Sequence, residues 1–287
     1  GVFFMCGIVG FTGKTNAAEF LLNGLEKLEY RGYDSAGIAV LDNGTISVEK
    51  TTERIKELKE KTNDGKDLNG CIGIGHTRWA THGAPSFENA HPHLSSDKKF
   101  AVVHNGIIEN YLQLKDELKA QGVQFKSETD TEVIPQMISQ YYKGDFFEEV
   151  SKTVKKLEGS YALGIICSDY PDTLIAARKF SPLIIGVSEN ENYIASDVTA
   201  TVTHTRDVIY IEDGEIAVLT PSEVKIYDSD KNEIKREISH INWDVSDAEK
   251  GGYDHFMMKE IMEQPNAVKQ TVESLLHGRE IVFEGLK

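Results

Sequence analysis

Cys6 is the residue around which chemistry can be built, because it directly follows a methionine in Met5-Cys6-Gly7-Ile8-Val9-Gly10-Phe11. Once everything before it is removed, a cysteine in this place carries both a thiol and a free α-amine. The thiol titrates at about 8.5 and the amine at about 7.7–8.0, so near neutrality much of the amine is unprotonated and can take the thiol proton. A lysine, at about 10.4, needs a large shift to do the same. While Gly1-Val2-Phe3-Phe4-Met5 remain attached, no such amine exists.

A nucleophile also needs oxyanion donors and a substrate cradle. Val103-His104-Asn105-Gly106 closes an apolar strand with an amide donor followed by a glycine N–H, a pair suited to a developing oxyanion. A turn is nevertheless the commonest meaning of Asn-Gly. Gly75-His76-Thr77-Arg78-Trp79-Ala80-Thr81-His82-Gly83 delivers Arg78 into a glycine-flanked loop beside an aromatic ring. Arginine offers a planar fork that matches a carboxylate, and Trp79 can close over a small ligand. The plainer readings are an ordinary ion pair for Arg78 and a core position for Trp79. Glu128-Thr129-Asp130-Thr131-Glu132 opens a helix, where Asp130 or a neighbouring threonine is by default an N-cap. An acidic side chain there can also hold a substrate ammonium, so that Arg78 and Asp130 together define an amino-acid site. Tyr30-Arg31-Gly32-Tyr33-Asp34-Ser35-Ala36-Gly37 reads as a tight helix-to-strand connection with a buried charge pair. His76, His82, His91, His93 and His104 match no zinc spacing, and hydrogen bonds from loop histidines to backbone are expected in place of a metal.

These residues must be positioned by elements. Residues 6–11, 71–76 and 100–108 are apolar runs of buried-strand length. Asn16 can cap a helix with Ala17, Phe20, Leu21, Leu25 and Leu28 at helical spacing. Residues 35–41 and 45–48 flank Asp42-Asn43-Gly44, a hairpin signal. The Lys and Glu run at 53–66 predicts a solvated helix and loop, and helical patterns cover 110–121, 131–142 and 146–157. Further strands are expected from Tyr161 and at 174–177, 183–187, 193–195, 208–211 and 216–219, and a last helix at 255–276 is expected to be broken by Pro265. Strands, then helices, then strands again lack the alternation of a doubly wound sheet and indicate an α+β domain with mainly antiparallel sheets.

The chain has 46 acidic against 31 basic residues, a formal charge of -15, which disfavours nucleic acid or an anionic membrane as main partner. No apolar run approaches the roughly 18 residues of a membrane span. Three cysteines make no disulfide framework, and a reducing cytoplasm is the simplest setting. Cys71 and Cys167, both in apolar runs, read as small hydrophobes in strands.

Taken together, in their order along the chain, these motifs resemble the glutaminase domain of the glucosamine-6-phosphate synthases, class II glutamine amidotransferases of the N-terminal nucleophile hydrolase superfamily. The resemblance implies a four-layer αββα sandwich and hydrolysis of L-glutamine to glutamate and ammonia without cofactor or metal. It implies that the Cys6 thiolate attacks the side-chain amide, with the Cys6 amine as base and later acid. Asn105 and Gly106 are then the oxyanion hole, Arg78 holds the substrate carboxylate and Asp130 its amine. Trp79, Thr81 and His82 belong to a mobile covering loop, with Arg31 and His91 in support. It further implies residues 1–5 as leader or tag remnant, 6–250 as glutaminase domain and 251–287 as linker towards a missing sugar-isomerase half, in a longer enzyme that acts on fructose 6-phosphate and is a homo-oligomer. With residues 1–5 attached the glutaminase is expected to be nearly inactive, and Val2, Phe3 and Phe4 are expected to bury themselves. The rivals are an amidotransferase of the phosphoribosyl-pyrophosphate type, which the 251–265 stretch argues against, and a non-catalytic glutamine sensor.

Overall fold

The computed structural model describes residues 6–32, 34–79, 83–242, 252–253, 255–277 and 280–281. The expected burial of Val2, Phe3 and Phe4 lies outside the described residues. The chain divides into two compact units, Gly1–Ile241 and Asn242–Lys287.

In the first unit the order is β1 (Gly7–Thr12), α1 (Ala17–Leu28), β2 (Ser35–Asp42), β3 (Thr45–Thr51), α2 (Ile55–Lys61), β4 (Ile72–Arg78), β5 (His93–Leu94) and β6 (Phe100–Ile108). Three helices follow, α3 (Tyr111–Ala120), α4 (Val133–Tyr141) and α5 (Phe146–Lys156). The chain then returns to strands, β7 (Gly159–Cys167), β8 (Tyr170–Lys179), β9 (Ile184–Val187), β10 (Asn192–Ala195), β11 (Asp207–Tyr210), β12 (Ile216–Leu219), β13 (Val224–Tyr227), β14 (Glu233–Ile234) and β15 (Ser239–His240). They form two antiparallel sheets, ordered β15-β11-β9-β10-β1-β4-β2-β3 and β14-β13-β12-β8-β7-β6-β5.

Alternation of side chains along each strand explains the layers. In β1, Ile8 faces the other sheet, while Phe11 turns the opposite way and packs against Phe20 of α1 with ring centroids 5.6 Å apart. Both faces are covered, so the strand reads as one apolar run. In β6, Ala101 and Val103 join the core between the sheets, whereas Phe100 and Val102 join a second core with Leu118, Ile138 and Phe146 of α3, α4 and α5. Helix, sheet, sheet and helix thus give the expected αββα sandwich.

Local signals act as anticipated at the Asn16 cap, whose side chain accepts the Ala18 N–H at 2.8 Å, and at the β2–β3 turn, where Asn43 and Gly44 take φ of 47° and 76°. α2 follows its lysine and glutamate pattern on the outside but buries Ile55 and Leu58. Cys71 departs from expectation. It is exposed and precedes β4, which starts only at Ile72, so it is no strand hydrophobe, whereas Cys167 is buried in β7.

In the second unit, α6 (Phe256–Leu275) runs through Pro265 instead of breaking there. Proline removes one backbone donor and crowds the Ile261 carbonyl, but Met, Glu, Gln, Lys and Ala on either side are good helix formers and carry the helix across. No described helix is long and apolar enough to cross a membrane.

Candidate active site

The same alternation assembles a site at one end of the space between the sheets. Cys6 lies two residues before Ile8, His76 and Arg78 continue the row of Ile74, and Asn105 continues the row of Ala101 and Val103, all rows that face the opposite sheet. Cys6 and its neighbours are pinned by contacts remote in sequence. The Asn105 amide donates from Nδ2 to the Cys6 carbonyl at 2.8 Å. The Gly7 N–H donates to Thr77 Oγ1 at 3.2 Å, and the Ile8 N–H to Ser196 Oγ at 3.1 Å. The Cys6 Sγ accepts the Trp79 N–H at 3.2 Å. Burial pushes the thiol up, opposed by the Trp79 N–H and the Arg78 charge and reinforced by Asp130. Arg78 and Asp130 therefore lie close enough to the sulfur to act on it in opposite senses.

Arg78 is buried and donates from Nη2 to the Gly83 carbonyl at 3.1 Å. Burial pulls its guanidinium below the usual range, while Cys6, Asp34 and Asp130 oppose that. The connection before β2 presses on the Arg78 backbone. The Asp34 N–H donates to the Arg78 carbonyl at 3.0 Å, and a Cβ at Gly32 would stand 2.9 Å from the Trp79 nitrogen. Arg31 lies in the short 3-10 turn Glu29–Arg31, and its side chain is outside the described residues, as are Tyr33, Thr81 and His82.

Asp130 does not do what its place at a helix start suggests. α4 begins at Val133 with Glu132 at its cap, and the buried Asp130 instead accepts the Ile108 N–H on Oδ2 at 2.8 Å, tying the segment to the end of β6. Gly106 beside it has φ of 127°, and an added Cβ would stand 2.1 Å from the Ser160 carbonyl oxygen. Only glycine fits there.

The histidines are not simple loop residues bonded to backbone. His76, His91, His93 and His104 are all buried. His76 Nε2 contacts the His104 carbonyl at 2.9 Å, as expected, but His91 Nε2 and His104 Nδ1 both meet Thr131 Oγ1 at 2.9 Å, and His93 Nε2 meets Thr129 Oγ1 at 3.0 Å. His91 stacks on His76 at 4.2 Å between centroids. Burial drives His76 down to about 3 and holds His91 and His93 well below the ordinary range, so the rings are neutral. Among the described residues no cluster of three or more His, Cys, Asp or Glu could hold a metal ion.

Residues 76–203, which span most of this machinery, match the glutamine amidotransferase domain family. The isomerizing glutamine–fructose-6-phosphate aminotransferase of Clostridium acetobutylicum is 53% identical over 283 residues, covering 98% of this chain and 46% of the relative. The chain carries a glutamine amidotransferase domain. The Aquifex aeolicus aminotransferase of the same name is 51% identical over 283 residues, 99% of this chain and 48% of its own length, so the chain spans just under half of these relatives. Among solved structures, the glutamine phosphoribosylpyrophosphate amidotransferase from B. subtilis superposes with a TM-score of 0.69 and 28% identity, over 79% of this chain and 50% of that one. The sandwich of this amidotransferase domain is thus of the N-terminal nucleophile type.

The structure brings together Cys6, Arg78, Trp79, Asn105, Gly106, Asp130 and His91. Thr77, Ser196 and Thr131, which the sequence did not single out, also hold this cluster in place. A hydroxyl gives no hint of which distant group it will meet, and only Thr77 lies in a strand, whereas Ser196 follows β10 and Thr131 lies in the turn before α4.

Proposed function

We propose that the chain hydrolyses L-glutamine to glutamate and ammonia at Cys6. What carries this reading is a thiol that feels the charges of a buried guanidinium and a buried carboxylate, with the Asn105 N–H₂ directed at the Cys6 carbonyl. Arg78 takes the substrate α-carboxylate and Asp130 the α-ammonium, which leaves the side-chain amide to extend towards Cys6. With Cys6 as first residue, its amine removes the thiol proton, and sulfur attacks the amide carbon. The negative oxygen is met by Asn105 Nδ2 and the Gly106 N–H. The protonated amine then gives its proton to the departing nitrogen, releasing ammonia and leaving a thioester. Water, deprotonated by the same amine, cleaves the thioester to glutamate and restores the thiol. Trp79, Thr81 and His82 cover the site, while Arg31 and His91 support it.

In the longer protein the ammonia is used to convert fructose 6-phosphate to glucosamine 6-phosphate, with residues 251–287 leading from the glutaminase domain, residues 6–250, towards the sugar-binding half. The names and double length of the relatives support this. We place the homo-oligomeric enzyme in the cytoplasm, in keeping with three unpaired cysteines. Residues 1–5 block the amine, so turnover depends on their removal. The test is glutamate release by the chain whose intact mass shows Cys6 first, beside Cys6→Ala and the chain still carrying residues 1–5. Turnover in the first alone is expected. Glutamine binding without hydrolysis by the Cys6-first chain would overturn the reading in favour of a sensor.

A further inference from the structure

We propose that His76 is a positioning residue for Asn105, holding the amide so that its N–H₂ end, not its oxygen, faces the Cys6 end of the chain. This rests on the glutaminase reading, in which that N–H₂ meets the developing negative charge. The assignment follows from which atoms can only accept. The Cys6 and His104 carbonyl oxygens cannot donate, so the Asn105 atom 2.8 Å from the first must be the nitrogen and the His76 Nε2 2.9 Å from the second must carry hydrogen. The remaining Asn105 oxygen then lies 3.0 Å from His76 Nε2 and accepts from the same N–H. One bifurcated N–H therefore fixes both the end of β6 and the sense of the amide.

The opposite ring nitrogen agrees. His76 Nδ1 is buried and meets no hydrogen-bond partner among the described residues. A bare lone pair tolerates that better than an orphaned N–H, so the neutral Nε2–H tautomer is the one that the site selects. Burial keeps the ring in this neutral form down to about pH 3, and His91 stacks on it with centroids 4.2 Å apart and 27° between planes. His91 thus supports the site through His76. Without the Nε2–H, the Asn105 amide can rotate to donate to the His104 carbonyl, which His76 no longer occupies, and its oxygen then faces the Cys6 end.

The experiment compares His76→Leu and His76→Gln in the Cys6-first chain, with circular dichroism for folding. The glutamine amide nitrogen reaches about where Nε2 stood, whereas leucine offers no donor. His76→Leu is expected to lower kcat on the order of 10- to 100-fold, up to the loss of a whole oxyanion donor, with KM for glutamine within about threefold, because Arg78 and Asp130 still bind the ground state. His76→Gln is expected to keep kcat within a few-fold of the parent. Equal kcat in parent and leucine variant, or equal losses in the two folded variants, would overturn the proposal. Nitrogen-15 shifts of the His76 ring in the parent decide it independently of folding or turnover: Nε2–H supports it, Nδ1–H refutes it. An inactive parent that retains the Nε2–H tautomer would refute the glutaminase reading and leave the placement of Asn105 standing.

Discussion

Acidification is the perturbation that the buried histidines make most informative. His76, His91 and His93 are neutral when folded because burial penalises their charge, and all three titrate below the ordinary value. A ring whose folded pKa is depressed contributes stability that is complete above the unfolded value of about 6.5 and is lost as pH falls below it, down to the folded value, about 3 for His76. Near pH 5.5 each unfolded ring has bound most of a proton, which favours the unfolded chain by about 1.4 kcal/mol. Three rings together remove about 4 kcal/mol between pH 7.5 and 5.5, a large part of the roughly 5–15 kcal/mol that a domain has. The loss depends on the unfolded pKa and not on how far the folded one has dropped. Carboxylates, which titrate near 4, contribute little over this interval. The assay is urea unfolding at half-unit pH steps, with the stability in water from linear extrapolation and proton uptake from its slope against pH. Stability that changes by less than about 1 kcal/mol over this range, or an uptake below about one proton, would refute the claim that these rings are buried and neutral.

Gly106→Ala is expected to destabilise the chain by about 2 kcal/mol or more and to abolish turnover, since the new Cβ meets the Ser160 carbonyl at 2.1 Å and the φ of 127° is strained for alanine; urea unfolding beside a glutaminase assay checks both. Arg78→Lys keeps the charge but loses the fork. One charge-assisted bond to the substrate carboxylate is worth about 1.5–3 kcal/mol, so KM should rise about 10- to 150-fold with a smaller change in kcat, and an unchanged KM would exclude Arg78 from carboxylate binding. Iodoacetamide should label the exposed Cys71 first, Cys6 more slowly and Cys167 last, because burial lifts the Cys167 thiol to about 11; peptide mapping of a time course gives the order.

What the sequence made legible was local. Asn43-Gly44 announces its turn because φ above zero is a property of those two residues, and Asn16 announces its helix because its own side chain makes the cap. Arg78 and Asn105 stood out because each follows an apolar run that needs no charge or amide. The default for Asp130 failed because a cap is a local bargain, and the backbone N–H of Ile108, 22 positions away, outbid the helix start. Cys71 failed because a run of apolar letters does not say where pairing begins. The histidine cluster was misjudged because its partners, Thr129 and Thr131, lie beyond any window of local pattern. Short strands such as β13 and β14, with half-exposed mixed residues, carry too little periodicity to be heard.

The central place of β1 in its sheet has a consequence for the order in which the molecule comes into being. Its partner on one side, β4, is made early, but its partner on the other, β10, is not complete until Ala195, and the hydroxyl that receives the Ile8 N–H belongs to the next residue. At about 5–20 residues per second, a nascent chain therefore spends roughly ten to forty seconds with the strand beside Cys6 open along one edge. Until then the Ile8 N–H has no Ser196 hydroxyl to meet, whereas in the folded chain the Gly7 and Ile8 N–H groups and the Cys6 carbonyl are all engaged.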